Sequence, residues 1–107
     1  MMNNLEIRKT IAKIEGVELL GPNKLNYKPP YSRCVVRYDP LTDDALCFRL
    51  IEKYDVTFNI YHDLGGIKYY YGDLWRDTER ITIPDSKELK RFVCLYVIEK
   101  IHMSICN

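Results

Sequence analysis

Apolar residues recur along the chain at two periods, and the switches between them mark its elements. In "NNLEIRKTIAKIEG" they fall at Leu5, Ile7, Ile11 and Ile14, the spacing of one helix face, with Asn3 or Asn4 placed to cap the start and Gly16 to stop the end. "VELLGPNKLNYKPPYS" contains Gly21-Pro22 and Pro29-Pro30, which break both periods, so residues 17–32 read as a long irregular connection of the kind that often carries function. "SRCVVRYD" alternates Cys34, Val36 and Tyr38 against Val35 and Arg37, which suits a short strand. In "PLTDDALCFRLIEKY" Thr42 is placed to cap a second helix whose first turn holds Asp43 and Asp44, and Leu46, Cys47, Leu50, Ile51 and Tyr54 follow a helical stripe.

The period then changes to two. "DVTFNIYHDLGGIKYYYGD" predicts a β-hairpin over about residues 55–73: Val56, Phe58, Ile60 and His62 on one face, a Gly65-Gly66 turn, then Ile67, Tyr69 and Tyr71 alternating with Lys68 and Tyr70. "RITI", ahead of Pro84, is a candidate further strand. From Asp85 as N-cap, "SKELKRFVCLYVIEKIHMSIC" predicts one long helix with Leu89, Phe92, Val93, Tyr96, Val97, Ile101 and Ile105 as its apolar face. The expected class is therefore α+β, a small antiparallel sheet built on the hairpin and packed with helices. Thr57 and Asn59 are polar where Val56, Phe58 and Ile60 are not, so the residues favour helices on a single face.

At 107 residues, 47% hydrophobic and 29% charged, the chain reads as one domain, 1–107, able to bury a core without metal or disulfide staples. Sixteen basic against fifteen acidic residues leave a net charge of +1, so no global field draws nucleic acid or an anionic membrane. Lys87, Lys90 and Arg91 cluster locally, but Asp85, Glu88 and Glu99 accompany them, as on a solvated face. Cys34, Cys47, Cys94 and Cys106 form no C-x-x-C pair. The N-terminal stretch has no apolar core of signal-peptide length, and no run approaches the roughly 18 apolar residues of a membrane span. A cytoplasmic protein is expected, its reduced thiols serving mainly as small core side chains.

The triplet Tyr69-Tyr70-Tyr71 is divided by strand geometry, since alternate residues point to opposite faces. Tyr69 and Tyr71 are expected to be the buried pair, because their face begins with Ile67 whereas Tyr70 follows Lys68. Tyr70, joined by Tyr61 across the hairpin, and Trp75 are then the candidate partner-binding residues. Aromatic rings beside lysine suit base stacking, but no RNP-like motif accompanies them.

Catalytic chemistry finds little footing. No nucleotide-binding, serine-hydrolase or zinc-protease motif occurs. His62 and Asp63 beside the 17–32 connection are the pair an enzyme would use, with His102 a distant second imidazole, yet turn chemistry accounts for Asp63. Asp73, Asp77 and Glu79, interleaved with arginines, read as a solvated loop rather than a cation site. No catalytic, cofactor-binding or metal-binding residue is expected.

The element order, with "PPYS" before the middle helix, a Gly-turn hairpin followed by Trp75, and Cys94 inside the last helix, resembles the phage alpha-beta-alpha sandwich domain, a family of small uncharacterised bacteriophage and prophage proteins. The resemblance covers nearly the whole chain. It implies a sandwich with helices on both faces of the sheet and no catalytic residues to carry over. The chain departs from the family's alanine-rich final helix with Phe92, Leu95, Tyr96 and Ile98. The resulting expectation is a non-enzymatic phage accessory protein that binds a host or phage protein in the host cytoplasm. The alternative is a small nucleic-acid-binding regulator, which would require a clustered basic patch in the folded molecule.

Overall fold

A computed structural model describes residues 2–21 and 25–105. Residues 22–24 of the expected connection and Cys106 lie outside the described residues, as does the side chain of Ile105. The elements run α1 (Asn4–Ile14), β1 (Asn26–Tyr27), β2 (Val36–Arg37), α2 (Asp44–Tyr54), β3 (Asn59–His62), β4 (Lys68–Arg76), β5 (Glu79–Ser86) and α3 (Leu89–Ile105). β1 and β2 form a two-stranded antiparallel sheet, and the other three strands form a second in the order β3-β4-β5. The class is α+β, in a small sandwich-like arrangement of helices on the three-stranded sheet.

Local chemistry sets the helix boundaries. The Asn3 side chain accepts from the Glu6 N–H, and at the other end of α1 the left-handed Gly16 turns the chain so that Val17 N–H reaches the Ala12 carbonyl at 2.8 Å. Asp43, not Thr42, caps α2 by accepting from Leu46 N–H, because the preceding residues are wrapped around Asp39. Helix α3 starts at Leu89 rather than directly after Asp85: Asp85 and Ser86 complete β5, and the Ser86 hydroxyl then accepts from Glu88 N–H at 3.1 Å.

Helix α3 is the centre of the molecule. It buries Phe92, Val93, Cys94, Tyr96 and Val97, which spread around most of its circumference, and such a helix needs partners on several sides. It packs on β4 and β5 with one side and on α1 and α2 with others. Ile7 and Ile11 from α1, Leu50 from α2 and Ile83 from β5 complete the core. Burial pushes the Cys94 thiol up to about 12, helped by the neighbouring Cys47, itself raised by burial. Both act as packing groups, whereas Cys34, expected in the core, is exposed.

Two parts of the sequence reading are corrected. The 17–32 connection contains strand β1, whose partner β2 is shorter than expected and exposed, because only Tyr38 and Asp39 beyond it turn inward. The stretch 73–79, expected as a solvated loop, is instead the end of β4 and the start of β5, turned at Asp77 and Thr78 with Asp77 left-handed.

Candidate functional site

All the described helices lie on one side of the three-stranded sheet, the arrangement favoured by the polar Thr57 and Asn59. Gly72 identifies the covered face, since a Cβ there would meet Phe92 Cζ at 3.3 Å and the Thr57 carbonyl at 3.2 Å. By alternation Tyr70 and Leu74 share that face, and on β5 Ile81 pairs with Leu74 and Ile83 with Gly72. Tyr69, Tyr71, Asp73 and Trp75 therefore point the other way, where no described helix covers them.

This reverses the expected faces of the tyrosine triplet. Tyr69 and Tyr71 do behave alike and unlike Tyr70, but Tyr70 packs inward, its ring edge-on to Phe58 at 5.7 Å, while Tyr71 is exposed. The cause is a register difference of one residue. A two-residue Gly65-Gly66 turn would set Tyr61 opposite Tyr70; the observed pairs are Tyr61 with Tyr69 and Ile60 with Tyr70. The turn is longer because Asp63 Oδ1 accepts from both Gly65 and Ile67 N–H at 2.9 Å, with Gly66 left-handed beside it. A slip of one exchanges every partner's face. Leu74 and Gly72 carried the decisive sequence signal, an apolar residue and a gap on the same parity as Tyr70.

On the uncovered face Tyr61 and Tyr69 stack with ring centroids 5.2 Å apart, and Tyr71 sets its edge against Tyr61 at 5.4 Å. The Tyr61 hydroxyl donates to Asp85 Oδ2 at 2.8 Å, which pushes the Tyr61 pKa up. Lys87 Nζ lies 5.9 Å from the Tyr69 ring centroid. Trp75 stands four residues beyond Tyr71 on β4, about 13 Å along the strand, and is 61% exposed. Between them Asp73 pairs with Arg80 at 3.3 Å. Of the three candidate residues, Tyr61 and Trp75 thus share one open surface, and Tyr70 belongs to the core side. Sequence reasoning missed Tyr69 and Tyr71 there.

The remaining candidates are placed elsewhere. His62 is exposed at the end of β3, and the Asp63 carboxylate is held by the turn. His102 is on the exposed side of α3, remote in sequence and element from both. No group of three metal-ligating side chains occurs among the described residues. The basic triplet is divided: Lys90 pairs with Asp44 at 2.5 Å, Arg91 bonds Asn4 and the Met2 carbonyl, and Lys87 alone reaches the aromatic face.

The 17–32 connection lines a groove of about 740 Å³ against α2, with Tyr27, Pro29, Pro30 and Tyr38 supplying apolar wall and Arg49 and Glu52 also lining it. Lys53 and Tyr54 both bond Glu15 Oε2 across it, at 2.6 and 2.9 Å. The Tyr38 hydroxyl is shielded from solvent without a hydrogen-bond partner among the described residues, and its burial, with the nearby Glu15 charge, pushes its pKa up. This groove offers a ligand a mostly apolar wall and a Glu15–Lys53 pair already engaged, whereas the open sheet face gathers several aromatic rings, so the sheet face is the stronger candidate.

No described helix is long and apolar enough to cross a membrane. In comparisons with known proteins, no family model, no curated protein and no solved structure matches the chain.

Proposed function

We propose that the protein is a non-enzymatic accessory protein of phage or prophage origin that works in the host cytoplasm by binding another protein through the open face of its sheet. One observation carries the binding reading: Trp75, 61% exposed, shares an uncovered face with Tyr61, Tyr69 and Tyr71. Large aromatic residues supply most of the energy at protein interfaces, and several of them gathered on one uncovered face suit a contact surface. The phage assignment rests on the "PPYS" segment, the Gly-turn hairpin with its following Trp, and Cys94 in the last helix.

The geometry favours protein over nucleic acid. Base stacking needs open ring faces, yet Tyr61 and Tyr69 turn theirs toward each other and Lys87 lies over Tyr69. Asp73 and Asp85 sit among the rings, and Lys90 and Arg91 are engaged on other surfaces. Affinity capture from a bacterial lysate, with wild type and Trp75→Ala as baits, tests the proposal. Wild type should retain a protein that the folded variant loses. Recovery of nucleic acid instead, abolished by nuclease and by raised salt, would favour the regulator.

A further inference from the structure

The two edges of the three-stranded sheet are built differently. Edge strand β5 is guarded: Pro84 offers no N–H, Pro84 and Asp85 bulge opposite Tyr71 alone between the Ser86 and Ile83 pairings, and Glu79 and Arg80 begin the strand. Edge strand β3, Asn59-Ile60-Tyr61-His62, has no proline, lysine, carboxylate or bulge, and all four residues are exposed. Helix α3 packs on β4 and β5 but makes no element contact with β3, which leaves Ile60 50% exposed on the helix side.

The backbone groups on this edge are identified by the ladder. Asp63 N–H donates to the Ile67 carbonyl at 3.0 Å, and antiparallel pairs alternate. Tyr61 and Asn59 therefore exchange hydrogen bonds with Tyr69 and Tyr71, while the N–H and C=O of Ile60 and His62 point away from the sheet. We propose that β3 pairs antiparallel with β3 of a second copy of this chain, about a two-fold axis at Ile60. That axis lets Ile60 exchange both backbone hydrogen bonds with its own counterpart. It also packs two isoleucine side chains together on the side that α3 leaves bare, and sets Asn59 beside the copy's Tyr61 on the aromatic face. Identical strands satisfy this pairing without further design, because each supplies the donors and acceptors the other lacks. The two sheets become one, and their open aromatic faces become continuous.

The inference stands on the sheet edge and is independent of what the aromatic face binds. Sedimentation equilibrium of the purified chain over a rising concentration series should show the mass climbing toward twice the monomer value. Ile60→Lys, at a half-exposed site, should hold it at the monomer value with an unchanged far-UV spectrum, while Trp75→Ala should leave dimerisation intact. Amide exchange supplies a second readout without substitution: Ile60 and His62 should become protected as concentration rises, while Asn59 and Tyr61 are protected throughout. A monomer at every concentration, or a dimer lost with Trp75→Ala and kept with Ile60→Lys, would overturn the proposal.

Discussion

Residue by residue, β4 shows how one atom can decide which of two chemically similar side chains is structural. Asp63 Oδ1 fixes the turn, the turn fixes the register, and the register sends Tyr70 toward Phe58 and Tyr71 toward solvent. Tyr70→Ala removes a ring packed on the core and should cost about 1.5–3 kcal/mol, whereas Tyr71→Ala, which loosens only an exposed edge contact with Tyr61, should cost less than about 1 kcal/mol. A denaturant titration measures both, and equal losses would show the open face to be covered. The sequence made the likeness of Tyr69 and Tyr71 legible, because alternation holds in any register. Their place on the open face was not legible from Ile67 and Lys68, which flank the turn and report its local chemistry rather than the core. Trp75, whose neighbour Leu74 is buried, is exposed on the face of Tyr71 and not on that of Tyr70, with which the sequence reading grouped it.

Among the elements, those fixed by local chemistry were the readable ones. The face and caps of α1 follow from Asn3, Gly16 and its isoleucine spacing, and α2 was displaced by one residue at its cap only. Strand β2 lies inside the stretch whose alternation suggested a strand, but its partner β1 was hidden because a two-residue strand carries no period, and the pair is held by long-range bonds such as Tyr38 N–H to the Leu25 carbonyl at 2.7 Å. Asp39, just beyond β2, ties this region to α1: its Oδ1 accepts from Arg8 Nε at 2.8 Å and from Leu41 N–H at 3.1 Å. Burial by itself would raise the Asp39 carboxyl, but hydrogen bonds from Arg8, Thr42 and Leu41 and the Arg8 charge hold it below the ordinary value. A carboxyl depressed in the folded state contributes stability above its unfolded pKa and loses it as pH falls through the folded one. Asp39→Asn should therefore cost about 1.5–3 kcal/mol at neutral pH. Its gap from wild type should narrow on acidification below the usual carboxylate range, as thermal melts across a pH series would show. A gap independent of pH would mean that packing, not charge, holds this junction.

At the scale of the whole molecule, α1 and α2 make no element contact with the three-stranded sheet; they meet it through α3. Phe92 is the side chain where this convergence is tightest: fully buried, it lies 6.4 Å from the Phe58 ring, 6.2 Å from the Tyr96 ring, and against the space that Gly72 leaves open. A stack with one shared layer should unfold as a unit, since neither the helices nor the sheet keeps a covered apolar face once that layer leaves. Phe92→Ala should cost about 3–5 kcal/mol, and it should shift the loss of helix signal and of sheet amide protection together, although the residue lies on the helix alone. Far-UV circular dichroism and amide exchange on the same samples separate the possibilities. Sheet amides of β4 and β5 that stay protected after the helix signal has gone would show that the hairpins hold themselves, through cross-strand aromatic pairs such as Tyr61 with Tyr69, without the helix behind them.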